Sequence, residues 1–321
     1  MAAILEVTNL SVRFPQSAGD VLAVRDVSLS LESGRTIAFA GESGCGKSVT
    51  AFSLLRLVPP PGVIDTGRIL YRGRDILAMT EEEVRRIRGR EIAMIFQEPM
   101  TSLNPVFTIG YQIGESLELH LGMGRAEAEQ YAAELLNSVG IPDAARRLVS
   151  YPHELSGGMR QRAMIAMALS TSPSILIADE PTTALDVTIQ AQILDLLLKI
   201  QEERKMALIL ITHDLGVAAS IADDIAIMYA GEIVEQGATA EVFGAPGHPY
   251  TRGLLSAIPR IGEKLGELRT IPGMVPEMKG APGGCVFHPR CYRGIDACTR
   301  GPVALRFDPG GRAVRCIRYG E

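Results

Sequence analysis

Tryptophan is absent from this 321-residue chain, and aromatic residues make up only 5% of it. Proteins that bind single-stranded nucleic acids stack the bases on aromatic side chains, so this composition argues against that class. An excess of basic residues is missing too, because the formal net charge is −5. Nucleic-acid-binding domains usually carry a basic patch, so we expect no nucleic acid among the partners of this chain.

Long apolar runs are also missing, and none reaches the roughly 18 residues that a membrane-spanning helix needs. The N-terminus has no basic stretch followed by an apolar core, so we expect no signal peptide and a cytoplasmic protein. Cysteine is scarce, and four of the five cysteines fall in the last 37 residues. In a reducing compartment such a group favours metal binding over disulfides. The length and the 46% hydrophobic content suit one large or two modest domains.

One segment matches the motif G-x-x-x-x-G-K-[ST]: Gly41-Glu42-Ser43-Gly44-Cys45-Gly46-Lys47-Ser48. An apolar segment that predicts a strand precedes it. Residues with helical periodicity follow it, and this helix must stop at Val58 because the prolines at 59–61 cannot continue it. This context favours a phosphate-binding loop over a chance glycine-rich turn, because the loop N–H groups and the helix N-terminus both attract anions. Lys47 would reach the β- and γ-phosphates, and Ser48 would bind Mg²⁺. The predicted nucleotide contacts are Gly41, Ser43, Gly44, Cys45, Gly46, Lys47, Ser48 and Val49.

Three further apolar segments predict buried strands that end in polar residues. They are residues 91–96 before Gln97, residues 174–178 before Asp179 and Glu180, and residues 207–212 before His213. Ligands of open α/β sheets bind at the carboxyl ends of the strands. We therefore expect Gln97 to face the γ-phosphate, Mg²⁺ or the attacking water, and Asp179 to coordinate Mg²⁺. Glu180 suits the base that activates this water.

The remaining pattern predicts an α/β fold with two additions. Residues 3–14 and 21–31 predict antiparallel strands, and Phe14 lies where its ring would stack on the nucleotide base or, alternatively, belong to the core. Residues 106–149 predict a helical insertion with breaks at 122–124 and 140–142. The segment Leu155-Ser156-Gly157-Gly158-Met159 then opens another helix, with Ser156 as a cap and a second possible phosphate site. A further helix is predicted from Val187 to Lys199.

Taken together, these motifs resemble the nucleotide-binding subunits of ABC transporters over residues 1–235. The resemblance implies a P-loop NTPase (RecA-like) core at 1–97 and 166–235 with an N-terminal antiparallel β subdomain. It also implies a helical subdomain at 98–165 and a small cysteine-containing C-terminal extension at 236–321. In that family two subunits pair head to tail around ATP. Ser156, Gly157 and Gly158 would contact the partner's nucleotide, Asp186 would cross the interface, and His213 would contact the γ-phosphate.

Residues 96–105, 186–192 and 248–252 are similar to the ATPases of dipeptide and oligopeptide importers, a group that includes nickel and glutathione importers. The resemblance implies Mg²⁺-dependent ATP hydrolysis at the cytoplasmic face of the inner membrane. The implied partners are two transmembrane permeases, a second ABC ATPase in a heterodimer, and an extracytoplasmic solute-binding protein. Peptide is the leading substrate, with nickel, glutathione or another solute as alternatives. A soluble ABC ATPase without a transport role is the hypothesis of a different class.

The four clustered cysteines are Cys285, Cys291, Cys298 and Cys316, separated by five, six and seventeen residues. Zinc ribbons use C-x-x-C pairs, which this segment lacks. Four thiolates suit either a [4Fe–4S] cluster or tetrahedral Zn²⁺, and His288 is a possible substitute ligand. The segment from Cys285 to Cys291 resembles the C-terminal motif of peptide-importer ATPases, some of which hold an iron–sulfur cluster, so the resemblance favours the cluster. A redox or metal sensor is a third hypothesis.

Overall fold

The computed structural model describes residues 3–17, 19–183, 185–257, 271–276, 278–279 and 283–320. Residues 258–270 of the predicted C-terminal extension lie outside this part. The described residues form two units, each with its own dense contacts. The phosphate-loop unit contains residues 3–31, 36–78 and those from 210 onward, and the helical unit contains residues 32–35 and 79–209.

The described chain combines strands with helices, which confirms the predicted α/β class. The strands are β1 (Ala3–Phe14), β2 (Val21–Glu32), β3 (Thr36–Ala40), β4 (Val63–Tyr71), β5 (Arg74–Asp75), β6 (Ile92–Ile95), β7 (Ile175–Asp179), β8 (Ala207–Thr212), β9 (Asp224–Tyr229), β10 (Glu232–Ala238), β11 (Arg306–Phe307) and β12 (Ala313–Val314). The helices are α1 (Lys47–Leu54), α2 (Glu81–Ile87), α3 (Pro99–Ser102), α4 (Ile109–Leu121), α5 (Arg125–Ser138), α6 (Ala144–Arg147), α7 (Gly157–Leu169), α8 (Val187–Arg204), α9 (Leu215–Ile221), α10 (Thr239–Gly244) and α11 (Pro249–Ser256). Short 3₁₀ turns cover Ile76–Ala78, Pro152–Glu154, His288–Arg290 and Asp296–Thr299.

The phosphate-loop unit begins with a four-stranded sheet in the order β2-β1-β4-β5. Strand β1 pairs antiparallel with β4, where Leu5 lies opposite Tyr71, and β4 pairs antiparallel with β5. Leu5, Val7 and Val12 are buried while their polar neighbours are not, which is the alternation expected of a sheet with one covered face. The predicted antiparallel subdomain is confirmed.

A second sheet of the same unit has the order β11-β12-β10-β9-β3. Strands β3 and β9 are parallel, and all five residues of β3 are buried, as expected of a parallel strand covered on both faces. The C-terminal strand β12 pairs antiparallel with β10, with Val314 opposite Glu235. The end of the predicted extension therefore adds two short strands to the sheet.

The helical unit is built around the parallel pair β6 and β7, in which Ile92 lies opposite Ile175. Helices α4, α5 and α7 contact one another. The predicted break after α4 is confirmed, because Gly122 ends this helix in the left-handed conformation. Strand β8, whose six residues are all buried, begins in the helical unit and ends in the phosphate-loop unit. Among the described residues, no helix is long and apolar enough to span a membrane.

Two helix ends differ from the sequence-based prediction. The sequence predicts that α1 stops at Val58, but the helix ends at Leu54. Arg56 takes a left-handed φ of 52°, and the N–H of Leu57 donates to the carbonyl oxygen of Phe52 at 2.8 Å, which is the hydrogen bond that defines a Schellman motif. The predicted end of α8 is Lys199, but the helix continues to Arg204, where Lys205 closes it in the left-handed conformation.

Candidate functional site

The phosphate loop joins β3 to α1 and depends on two glycines. Gly41 has a φ of +153° and Gly46 a φ of +103°. A Cβ atom on Gly41 would collide with the carbonyl oxygen of Met228, and one on Gly46 with that of Ala23. The backbone can therefore follow this curved path only with glycine at these two positions. In loops of this motif the backbone N–H groups typically form an anion-binding nest.

Lys47 lies inside the curve of the loop and is only 5% exposed. Its Nζ donates to the carbonyl oxygens of Gly41 at 2.8 Å and Glu42 at 3.0 Å. Around it, Ser43 and Gly44 are exposed, while Ser48 and Val49 are half-buried at the start of α1. A buried ammonium in a glycine-formed loop at a helix N-terminus fits a polyphosphate.

Cys45 is fully buried within the loop. Burial raises the pKa of its thiol, with the nearby Lys47 ammonium acting in the opposite direction. Its carbonyl oxygen accepts a hydrogen bond from the N–H of Gly231 at 3.0 Å. The Cys45 side chain therefore packs inside the loop, and its backbone hydrogen bond to Gly231 holds the loop in place.

Glu42 is the loop residue whose contacts the sequence does not reveal. Its N–H donates to the hydroxyl of Tyr250 at 3.0 Å, and its carboxylate accepts two hydrogen bonds from Arg290 at 2.7 and 3.1 Å. Burial raises the pKa of Tyr250 far above its ordinary value, so this hydroxyl stays protonated. Only the chemistry of the loop indicates such a partner in the sequence, because a carboxylate inside an anion-binding loop needs a compensating cation.

In the helical unit, the parallel pairing of β6 and β7 brings Gln97 and Glu180 together. Gln97 Nε2 donates to Glu180 Oε2 at 3.0 Å, and Thr183 Oγ1 donates to the same oxygen at 2.8 Å. Asp179, the last residue of β7, is 2% exposed, and Glu180 adopts a left-handed φ of 46°. The sequence predicted the placement of Gln97 and Glu180 at the carboxyl ends of strands, but it gave no reason to select Thr183.

The predicted signature residues lie near the start of α8 within the same unit. The Ser156 hydroxyl caps α7 by accepting the N–H of Met159 at 3.3 Å, and Asp186 caps α8 by accepting the N–H of Ile189 at 3.0 Å. A Cβ atom on Gly158 would lie 3.1 Å from Ile189 Cγ2, and Gly157 is exposed. The two caps explain these residues locally, and their contacts with a partner's nucleotide stay predictions.

Phe14 and His213 belong to the phosphate-loop unit. Phe14 ends β1, and its ring lies against Gly62, where an added Cβ would be 2.7 Å from Phe14 Cε1. His213 follows β8 and is exposed. Its neighbour Asp214 caps α9 through the N–H of Gly216 at 2.7 Å. The expected contacts of Phe14 with a base and of His213 with a phosphate stay predictions.

The four C-terminal cysteines line one cavity, together with His288, Arg293 and Arg318. All four are free thiols. Burial raises the pKa of Cys285 to about 11, with the other three cysteines adding to the effect. Among the residues that the structure describes, no group of three or more Cys, His, Asp and Glu side chains is arranged to hold a metal ion. The structure thus gathers the predicted thiols, and the metal centre stays a prediction.

The chain is similar to known proteins in both sequence and structure. A family model described as ABC transporter matches residues 24–183, and a second, described as Oligopeptide/dipeptide transporter, C-terminal region, matches residues 234–298. A protein of Brucella melitensis biotype 1, provisionally named a peptide import ATP-binding protein, is 54% identical over 99% of this chain and 98% of its own length. A similarly named protein of Brucella abortus (strain 2308) is 51% identical over 98% of this chain and 95% of its own. The chain belongs to the ABC transporter family.

Solved structures of ABC cassettes match this ABC protein. One is a dimeric ATP-binding cassette in a post-hydrolysis state bound to ADP and Pi, with a TM-score of 0.66 and 27% identity over 73% of this chain and 98% of the cassette. A second, part of an ABC transporter complex of Clostridium perfringens, has a TM-score of 0.64 and 26% identity over 76% of this chain and 92% of its own. The predicted P-loop fold and the ABC-type ATPase class are confirmed.

Proposed function

We propose that this ABC protein hydrolyses ATP to drive the import of dipeptides or oligopeptides. The observation that carries the substrate class is the match of residues 234–298 to the C-terminal region of oligopeptide and dipeptide transporters. The names of the Brucella relatives support the same class. The selection of a particular peptide would belong to other subunits, because the described site is built for a nucleotide.

The phosphates of ATP and its Mg²⁺ ion would be held by separate sets of residues. The phosphate loop, with its buried Lys47, would bind the β- and γ-phosphates. Bound Mg²⁺ would neutralise charge on the transferring phosphate, and Ser48, Gln97 and Asp179 are the residues that would hold it. The oxygen-rich character of this set suits Mg²⁺.

Glu180 would act as the general base of hydrolysis. Two donors, Gln97 and Thr183, meet at its Oε2 and fix the direction of the carboxylate. In the reaction this carboxylate accepts a proton from water as the water oxygen bonds to the γ-phosphorus. The bond from that phosphorus to the β-phosphate oxygen breaks, which yields ADP and phosphate, and the proton then passes to phosphate.

A second ABC ATPase would complete each site across a head-to-tail dimer. Ser156, Gly157 and Asp186 are exposed at the starts of α7 and α8, and Val187 beside them is 81% exposed. An exposed surface with two helix N-termini and a glycine supports contact with a partner's nucleotide, because helix N-termini attract phosphate groups. His213 and Phe14 would serve the chain's own ATP, at the γ-phosphate and the base respectively.

Two transmembrane permeases are the proposed membrane partners. Large apolar side chains are exposed in the segment that follows Gln97, including Met100 at 51%, Val106 at 70% and Tyr111 at 49%. The rings of Phe107 and Tyr111 stack with centroids 4.6 Å apart. An exposed apolar group of this kind supports a protein–protein interface. The chain would thus lie peripherally on the cytoplasmic face of the membrane, with an extracytoplasmic binding protein delivering the peptide.

The four-cysteine cavity would hold a [4Fe–4S] cluster. Four free thiols line one cavity, and four cysteine thiolates are the ligand set that such a cluster uses. Arg293 and Arg318, which also line the cavity, would offset the negative charge of the thiolates. Because burial and the neighbouring thiols raise the pKa of Cys285, its proton must be released on binding, so cluster assembly would be favoured by higher pH.

Substitution of Glu180 by glutamine tests the catalytic part of this proposal. The glutamine side chain keeps the shape and an acceptor oxygen for Gln97 and Thr183 but loses the basic carboxylate, so ATP turnover should fall by about 10²–10⁴ while ATP binding remains. The measurements are phosphate release and nucleotide titration on the full chain. Glu202→Gln, on the exposed face of α8, is the matched control. Turnover at the parent rate in Glu180→Gln would contradict the assignment.

A further inference from the structure

An acidic residue stands inside the phosphate-binding loop of this protein. Glu42 directly follows Gly41, and its backbone belongs to the turn whose N–H groups and buried Lys47 form the anion site. A carboxylate at an anion site repels the negative charge of a triphosphate unless a cation compensates it. The residues that contact Glu42 therefore bear on nucleotide affinity.

Arg290 supplies this cation with a two-pronged contact. Its Nη1 donates to Glu42 Oε2 at 2.7 Å, and its Nη2 donates to Oε1 at 3.1 Å. The side chain of Arg290 is 6% exposed and that of Glu42 is 29% exposed, so the pair is only partly screened by water. Bidentate guanidinium–carboxylate pairs fix orientation as well as charge, which a lysine does not do.

The guanidinium is itself held from three further directions. Arg290 Nε donates to the carbonyl oxygen of Pro272 at 2.9 Å, and Nη2 to that of Ile271 at 3.3 Å. Nη1 also donates to the hydroxyl of Tyr229 at 3.3 Å, and the guanidinium carbon lies 5.7 Å from the centre of that ring. The position of Arg290 is thus set by the C-terminal segment and β9, and it dictates where the Glu42 carboxylate lies.

Tyr250 restrains the backbone of the same loop residue. Its hydroxyl accepts the N–H of Glu42 at 3.0 Å, and its ring is fully buried. The ring centroid lies 4.7 Å from that of Tyr229 and 5.3 Å from that of Phe287. Phe287 and Arg290 come from the same segment between Cys285 and Cys291, so one stretch of the C-terminal region supports both the ring and the guanidinium.

We propose that Arg290 is a positioning residue of the ATP site, which neutralises the Glu42 carboxylate and holds it away from the phosphates. Tyr250 fixes the Glu42 backbone in the same arrangement. The C-terminal region thereby sets the nucleotide affinity of the phosphate loop. The proposal needs only ATP binding at this loop, and it is independent of the transported solute and of Glu180 as the base.

The test is equilibrium titration of the full chain with Mg-ATP, using Arg290→Ala, Glu42→Gln and the double variant. Arg290→Ala leaves the carboxylate uncompensated and should weaken ATP binding about tenfold or more. Glu42→Gln should bind ATP at least as tightly as the parent, and the double variant should return to within about threefold of Glu42→Gln. The defect of Arg290→Ala should also shrink as salt is raised, because charge repulsion is screened and a folding defect is not.

The matched control is Arg252→Ala, which removes an exposed arginine of α11 that contacts the carbonyl oxygen of Pro246 and should leave ATP binding unchanged. Parent-like affinity in Arg290→Ala would overturn the proposal, as would a loss that Glu42→Gln does not relieve. If Arg290→Ala lacks a cooperative thermal transition, Arg290→Lys decides the question. Lysine keeps the positive charge but cannot form the bidentate contact, so we expect ATP affinity to fall about threefold. Adding Glu42→Gln should remove this loss of affinity, and a loss that persists would overturn the proposal.

Discussion

Gly44 and Gly46 both have a positive φ in the phosphate loop, but only one of them is also confined by its surroundings. Gly46 has a φ of +103° and faces the carbonyl oxygen of Ala23, whereas Gly44 has a φ of +76° with no atom within 4 Å of its Cβ position. The motif predicts glycine at the Gly46 position, and the structure supplies the atom that enforces it.

Alanine substitution should separate these two causes. Gly44→Ala carries only the cost of a left-handed backbone, about 1–2 kcal/mol of unfolding free energy. Gly46→Ala adds a backbone collision, so its loss should be larger and should include ATP binding, because the loop must shift. Urea unfolding and ATP titration of both variants measure the difference. Equal losses in the two would contradict this account of the loop.

Site residues can be predicted from the sequence where they directly follow a recognisable strand. Gln97 and Glu180 are predicted at the ends of buried strands, and they share a hydrogen bond of 3.0 Å. Arg290 cannot be predicted from the sequence because its partner Glu42 is 248 positions away. Sequence patterns relate only residues that are close together in the chain. Thr183 cannot be predicted because a threonine three residues after a carboxylate is common in turns.

At the level of elements, the strands are predicted correctly because they are buried. The ends of two helices are predicted wrongly because of the residues that terminate them. The apolar runs of β3, β7 and β8 predict strands correctly because every residue in them is buried. The predicted ends of α1 and α8 are wrong because Arg56 and Lys205, rather than glycine, take the left-handed closing position. The two-residue strands β11 and β12 are too short to show any alternation, so only tertiary pairing with β10 defines them.

The proposed cluster in the four-cysteine cavity predicts the metal content of the protein. Protein purified without oxygen should carry iron and acid-labile sulfide, and Cys298→Ser should lose both, since Cys298 is the most buried of the four thiols. Cys45→Ser is the matched control, because Cys45 is buried in the phosphate loop and should not affect iron. Metal and sulfide analysis of the three proteins measures the effect. Zinc in place of iron, or full iron in Cys298→Ser, would contradict the cluster.

At the level of the whole molecule, the order of motifs predicts more than any single one. A phosphate loop alone would fit many ATPases, but Gln97, the Ser156 signature and the strand ending before Glu180 follow it in the order of an ABC cassette. The relatives that align over 99% of the chain confirm the family. The division into residue ranges for core, helical subdomain and extension stays a prediction.

The measurement that tests the central claim most directly is affinity purification of tagged Glu180→Gln protein from native membranes in the presence of ATP. The variant should trap the ATP-bound assembly because it binds nucleotide and does not turn it over. We predict recovery of two polytopic permeases and a second ABC ATPase together with the tagged chain. Recovery of ribosomes or DNA, or of the chain with no membrane protein, would contradict a role in peptide import.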